Sequence, residues 1–248
     1  MAALAGEMPM PPGTIGELVE GRAVPKRVTT TVLKVGDSLN LRGRGLTAMP
    51  DNALAQTQIQ ALYLDGNPFA MPPQGLENFP DLQRLTLNQC NLVTLEGLPA
   101  LPRLETLSAS DNRIETLGRD MRGLATLRVL NLQGNLLTTL PQSLGSLTHL
   151  ELLLLDDNRL AALPDEIGAL ASLRRLSLTG NKLTTLPAAI ARLGLLESLD
   201  LSGNQLTALP AALDNCRSLR LLKLTGNKLS LADKNRFRRA LPGCLVVD

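Results

Sequence analysis

Aromatic side chains are almost missing from this 248-residue chain: it has no tryptophan, one tyrosine (Tyr63) and three phenylalanines (Phe69, Phe79, Phe237). A core built without them must be aliphatic, and base stacking on nucleic acid lacks its usual partners. Histidine is reduced to His149, so a Ser-His-Asp arrangement has a single residue on which to rest; His149 is read as an exposed loop residue, and no catalytic residue is assigned. The three cysteines, Cys90, Cys216 and Cys244, are odd in number and show no C-x-x-C spacing. That argues against a disulfide framework or a zinc site and for small buried hydrophobes. The start of the chain has no basic segment followed by a long apolar run, and no stretch approaches the roughly 18 apolar residues of a membrane span. The expectation is a soluble, cytoplasmic protein.

Charge of one sign is also scarce. The net charge is +2, too small to imply a nucleic-acid or membrane partner for the whole chain. It is unevenly spread: residues 214–248 carry eight basic and three acidic side chains, hence +5, against −3 for the remainder. This end is read as a solvated basic cap.

What the chain has is periodic leucine. Leu127, Leu130, Leu132, Asn135 and Leu137 form the pattern L-x-x-L-x-L-x-x-N-x-L, and its asparagine returns at Asn67, Asn112, Asn158, Asn181, Asn204 and Asn227. From Asn112 to Asn227 every step is 23 residues, and Cys90 holds the intermediate position between Asn67 and Asn112. Counting back 23 from Asn67 reaches Arg44, flanked by Leu39, Leu41 and Leu46, a degenerate first copy. A fixed period in this range predicts a solenoid of stacked units.

Each unit has two halves. The L-x-L alternation predicts a short strand with leucines inward, and stacking aligns these strands into one parallel sheet. The asparagine, at the turn after the strand, can bond backbone groups left unpaired there. In the second half a Leu-Pro step (Pro141, Pro164, Pro187, Pro210) precedes apolar residues spaced by three, which predicts a short helix or 3-10 turn. This outer half is bulkier than a strand, so the sheet curves inward.

The fold class expected is therefore an α/β solenoid with a concave parallel β-sheet of about ten strands, a 3-10 or short-helical convex side, and caps at both ends. Residues 1–14 are expected to be disordered, 15–35 to form an N-terminal cap with a short helix at 15–20 and a strand at 28–35, 36–229 to hold about nine repeats, and 230–248 to form a cap helix (232–241) and last strand (244–248). Two repeats depart from the pattern. The Cys90 unit is 22 residues long without the Leu-Pro step, and the Asn112 unit has Ala109 in place of a strand leucine and Gly118 in place of proline. A tighter convex side and looser packing are expected there.

These repeats closely resemble the 23-residue leucine-rich repeats of the Ras-suppressor-like class, which is common in bacterial intracellular proteins. The ending from Phe237 through Pro242 to Val246 looks like the closing segment many of those share. Arginine outnumbers lysine 19 to 6, which fits a GC-rich bacterial genome. The resemblance implies a horseshoe that serves as a non-enzymatic protein-binding scaffold. Some relatives are effectors delivered into host cells with an added catalytic domain, and no such domain is expected here. Alternatives left open are a bacterial effector or regulator acting by binding, and a structural protein that self-associates weakly through its sheet edge or basic cap.

No motif points to catalysis. There is no G-x-x-x-x-G-K-[ST]; Thr179-Gly180-Asn181-Lys182 is the repeat's own turn, and Gly43-Arg44-Gly45 lacks the third glycine of a dinucleotide site. Asp156 and Asp157 lack a third carboxylate nearby in sequence to fix a cation. No cofactor and no metal are expected. The array does offer a surface: ten strands at ~4.8 Å and a strip ~15 Å wide give on the order of 700 Å², about one side of a standard interface. Most outward residues on it are small and polar. Val129, Leu152 and Leu154 are apolar neighbours rimmed by Asp156, Arg175 and Asp200, and an exposed apolar group with a charged rim suits a protein partner. Tyr63 and Arg84, on adjacent coils, form a second candidate pair, and Lys223 extends the charged positions on the same face.

Overall fold

The computed structural model describes residues 33–35 and 37–248. The expectations for 1–14, for a helix at 15–20 and for most of the strand at 28–35 lie outside the described residues.

Eleven three-residue strands form one sheet in chain order: β1 Leu33–Val35, β2 Ser38–Asn40, β3 Ala61–Tyr63, β4 Arg84–Thr86, β5 Thr106–Ser108, β6 Val129–Asn131, β7 Leu152–Leu154, β8 Arg175–Ser177, β9 Ser198–Asp200, β10 Leu221–Lys223 and β11 Leu245–Val247. β2 to β11 are the ten parallel strands of a leucine-rich repeat solenoid. β1 is antiparallel, pairing Leu33 with Asn40 and Val35 with Ser38, so the first edge of the parallel array is covered as the β-branched stretch suggested. In β2 to β11 the central residue is buried while its neighbours face outward, because side chains alternate along a strand. In-register stacking then brings Leu85, Leu107, Leu130, Leu153, Leu176 and Leu199 into one inner row.

A three-residue strand has little to hold it, and the asparagines supply the rest. Asn135 shows how: its Oδ1 accepts from Ile114 N–H at 3.0 Å in the preceding coil, while its Nδ2 donates to the carbonyls of Ala109 (3.0 Å) and Leu132 (2.9 Å). One side chain thereby satisfies buried backbone groups in two coils, which would otherwise each cost about 1–3 kcal/mol. Asn158, Asn181 and Asn204 repeat the same set.

Cys90 breaks the pattern instructively. Its Sγ donates to the Leu64 carbonyl at 3.3 Å, standing in for the asparagine's donor, but a thiol offers no equal to the amide oxygen. The Phe69 N–H, which an asparagine here would have received, turns to the Asn67 carbonyl two residues back at 2.9 Å. The next residue, Ala70, is held at a φ of 62°. The chain relaxes locally to keep the donor paired.

On the convex side, 3-10 turns at Gln142–Ser146, Asp165–Ala169, Ala188–Arg192 and Ala211–Asn215 each follow a proline, with φ from −61° to −72° and ψ from 138° to 154°. Proline thus sits just before the turn in extended backbone, where its fixed φ fits and no N–H is needed. Leu144, Ile167, Ile190 and Leu213 are the fully buried anchors of these turns.

The divergent coils behave differently. Among the described residues no helical turn lies between β4 and β5, and the turn before β6, Arg122–Leu124, has three residues. The convex side is tight here: a Cβ on Gly123 would lie 3.0 Å from the Ala100 Cα. The core stays closed to solvent there, with Leu92, Leu104, Ala109 and Ile114 fully buried.

Among the described residues two α-helices stand at opposite ends of the array: α1, the short Asp51–Leu54, and α2, Leu231–Ala240. The second starts one residue earlier than the sequence suggested, capped by Ser230, whose Oγ accepts from Asp233 N–H at 3.1 Å. Phe237 is buried against the last coil, and Arg236 reaches the Leu209 carbonyl at 3.0 Å and the Asp214 carboxylate at 3.5 Å. Lys234 and Arg238 both meet Asp248. Much of the positive charge of this cap is therefore paired internally.

Candidate functional site

The outward residues of the ten parallel strands form rows across the concave face, and the register shows which of them meet. Arg84, Thr106, Val129, Leu152 and Arg175 follow one another on β4 to β8 in a single row. Beside it, Asn131, Leu154, Ser177, Asp200 and Lys223 run from β6 to β10. Val129, Leu152 and Leu154 are thus brought together, with Val129 opposite Leu152 and Asn131 opposite Leu154.

One expectation about them needs correcting. They are half-buried and not exposed, on adjacent strands β6 and β7. The large apolar side chains that are exposed stand elsewhere: Leu245 and Val247 on β11, Leu231 on α2, and Met71, Val93 and Leu195 in loops. Nothing in the repeat pattern distinguishes these loop positions, and the β11 pair corrects the count: a 23-residue step from Leu222 and Leu224 puts Leu245 and Val247 inward, but the last step is 24 residues, so Val246 pairs with Leu222 and is buried while Leu245 and Val247 face out.

The charged rim divides into engaged and free groups. Asp156 accepts from Ser177 Oγ at 2.5 Å and from Thr179 N–H at 2.8 Å, so its carboxylate ties one coil to the next. Asp65 does the same with Thr86 Oγ1 (2.8 Å) and Asn88 N–H (2.8 Å). The sequence carries this signal as an acidic residue just after the strand with hydroxyl residues one period later. Asp200 meets Lys223 at 3.0 Å, and each neutralises the other. Partial burial pushes the Asp200 carboxyl up, but the Ser202 hydrogen bonds and the Lys223 charge outweigh it, and the group ends below the usual carboxylate range. Arg84 and Arg175 are exposed and enter no ion pair among the described residues.

Tyr63 and Arg84 line one shallow depression of about 270 Å³, together with Ser38, Gln60, Gln83 and Thr106. They are not strand partners: Tyr63 lies opposite Thr86 and Arg84 opposite Ala61. The Tyr63 ring is already covered by the Arg42 guanidinium at 4.4 Å, itself held to Asp65 at 2.5 Å, so one face of this aromatic is occupied.

His149 lies in the turn before β7, with Nδ1 3.3 Å from the Ala125 carbonyl. Among the described residues no group of three or more His, Cys, Asp or Glu side chains could hold a metal ion, and no helix is long and apolar enough to cross a membrane. Burial raises the thiol pKa of Cys90, Cys216 and Cys244, which disfavours the reactive thiolate at each.

Comparison with known proteins agrees with this architecture. The leucine-rich repeat domain of the type III effector XopL superposes with a TM-score of 0.73 at 25% identity, covering 85% of this chain and 75% of that one. A chain of the Toll–Spatzle complex of Drosophila matches with a TM-score of 0.72 at 27% identity, over 84% of this chain and 30% of that one. An acidic leucine-rich nuclear phosphoprotein 32-related protein of Plasmodium falciparum is 31% identical over 91 residues, 34% of this chain and 32% of that protein. The chain thus spans a third or less of the curated relatives it matches. A sequence model described as leucine rich repeat matches residues 102–160, 148–206 and 171–229, more than half of the chain. With its 23-residue period, its asparagine ladder and its ten parallel strands, the chain belongs to the leucine-rich repeat family.

Proposed function

We propose that this chain is a non-enzymatic protein-interaction scaffold that binds a partner protein on its concave face, centred on Val129, Leu152 and Leu154. The observation that carries the reading is that these three apolar residues fall on adjacent strands in rows whose other outward residues from β5 to β9 are polar. Short side chains on rigid strands and already half-buried lose little freedom on binding, so a partner covers apolar area there at small entropic cost. Tyr63 and Arg84 form the outlying part of the surface. Asp156, Asp200 and Lys223 support it through the bonds between coils described above. The 23-residue period supports a reading of the chain as one of the Ras-suppressor-like class, and a cytoplasmic setting suits its three free thiols.

A second reading, that the partner belongs to a host and the chain is a bacterial effector, is favoured by the likeness to the repeat domain of XopL, itself a type III effector. The matching chain of the Toll–Spatzle complex was itself solved in a complex.

The test is Leu154→Asp, a charge placed in the apolar centre on a side chain that points out of the core. The expected result is loss of partner capture in a pull-down, with the circular dichroism spectrum and thermal midpoint close to wild type. Capture at wild-type level by the folded variant would overturn the assignment.

A further inference from the structure

We infer that the segment taken by the concave face is an acidic, extended stretch of the partner protein: two carboxylates six residues apart, one on Arg84 and one on Arg175, with an apolar side chain between them over Val129, Leu152 and Leu154. This rests on the concave-face reading above and specifies its ligand.

Charge complementarity comes first. Of the charged side chains on the concave rows, Arg42 is held by Asp65, Asp156 by Ser177 and Thr179, and Asp200 by Lys223. Along the flanking row just before the strands, Arg128 pairs with Glu151 and Arg174 with Glu197. The two exposed guanidiniums left over, Arg84 and Arg175, bracket the apolar centre in one row. Two free cations around an apolar patch ask for two anions around an apolar group. Guanidinium forks match carboxylates in particular, since each can take a bidentate pair.

Spacing comes second. Arg84 and Arg175 stand on strands four intervals apart, about 19 Å at ~4.8 Å per strand. An extended peptide rises ~3.3 Å per residue, so about six residues span the gap. Six is even, so both acidic side chains and those two and four positions along point the same way, toward the sheet. The fourth position lies about 13 Å from Arg84, over the Val129–Leu152 step. An acid–x–x–x–apolar–x–acid segment fits this row without a bend.

The two ends are unequal. Asp37 and Glu105 line the depression around Arg84 and make no ion pair with it, and they lower the positive potential there. Arg175 lies between Leu152 and Ser198 in its row, with its flanking neighbour Arg174 already paired, and is the stronger anchor. A single-stranded nucleic acid would supply anions as well, but its bases need stacking platforms, and the patch between the arginines is aliphatic.

The experiment measures anisotropy of a labelled peptide, acetyl-ESTSLSE-amide, titrated with the full chain. Saturable binding is expected, weakened about fivefold by Arg175→Gln, about twofold by Arg84→Gln, and about tenfold when both peptide glutamates become glutamine. The double variant Arg84→Glu/Arg175→Glu should lose this peptide and bind acetyl-KSTSLSK-amide instead. Because both arginines are exposed, folding is checked by an unchanged thermal midpoint. Absence of saturable binding to the wild-type chain, affinity indifferent to both arginines, or tighter binding of a heptauridylate RNA would each overturn the inference. The Leu154→Asp capture assay separates the two claims. If that variant loses its partner while the peptide ignores the arginines, the concave-face reading stands and the acidic segment falls; if capture survives Leu154→Asp, both fall.

Discussion

The coils from Leu127 to Asn227 and the coils around Cys90 and Asn112 obey one hydrophobic rule with different hardware. In the first region every step is 23 residues, every turn opens on a proline, and every ladder position is asparagine. In the second a step is 22 residues, the 3-10 turn shrinks or is absent, and one ladder position is Cys90. Both regions nevertheless bury the central leucines of their strands, from Leu85 and Leu107 to Leu199 and Leu222. The inner row therefore depends on the strand leucines and the register alone, while the convex half can be rebuilt locally. What varies between the regions is how many buried polar groups depend on a single side chain.

The largest effect should come from testing that dependence directly. Asn135→Ala removes an acceptor and a donor that serve backbone groups in two coils, and about 3 kcal/mol of stability should be lost in urea unfolding. Cys90→Ala removes only a thiol donor, because Phe69 N–H already has its own carbonyl, and about 1 kcal/mol is expected. Equal losses would mean that the local rearrangement at Phe69 and Ala70 does not compensate.

A smaller difference separates the convex turns. A Cβ at Gly168 would meet the Ala189 carbonyl oxygen at 2.4 Å, a backbone atom that cannot move aside cheaply, so Gly168→Ala should cost about 2 kcal/mol. At Gly123 the nearest atom would be 3.0 Å away, and about 1 kcal/mol is expected for Gly123→Ala from the shift in thermal midpoint. Gly194→Ala, where nothing lies within 4 Å, serves as the reference with no measurable change. The reverse order would show that the shortened coil is the more rigid one.

Thiol labelling compares the regions without mutation. Burial raises the pKa of Cys90 in the divergent coils and of Cys216 in the regular ones, so both should resist an aromatic disulfide reagent at about pH 8 until the protein is unfolded, and half-buried Cys244 should react first. Fast native-state labelling of Cys90 alone would show that its coil opens.

The smallest effect is electrostatic. The folded-state pKa of Asp200 is depressed, so its contribution is present above the unfolded value of about 4 and is lost as the pH falls through the folded value. The stability difference between wild type and Asp200→Asn should be below about 1 kcal/mol at neutral pH and close in acid, because the pair with Lys223 is partly solvated. A difference that persists below about pH 2 would assign the loss to packing instead.

Much of this molecule is legible in its amino-acid order. The leucine period places the strands and the Leu-Pro steps place the convex turns, while adding one period to Leu222 and Leu224 finds the last strand beyond a helix but misses its register by one residue, because the helical coil takes 24 residues and pairs Leu222 with Val246. The outward rows also follow from counting, which is why Val129, Leu152 and Leu154 can be named together. Less legible is the state of each named group. Asp156 and Asp200 read as a charged rim, and the fold commits them to Ser177, Thr179 and Lys223; Tyr63 reads as an open aromatic, and Arg42 covers it.

The division has a physical cause. A repeat with a fixed period dictates which side chains point inward and which positions stack, because those depend only on alternation along a strand and on the length of each coil. Whether a stacked polar side chain is free depends on what stands 21 to 26 residues away across the coil boundary, as the bonds of Asn135 and Asp156 show. Such partners lie within hydrogen-bonding distance only after the coils have packed. The sequence therefore settled the ladder, and the tertiary structure decided which of its rungs remain available: Arg84 and Arg175, on either side of a half-buried apolar step.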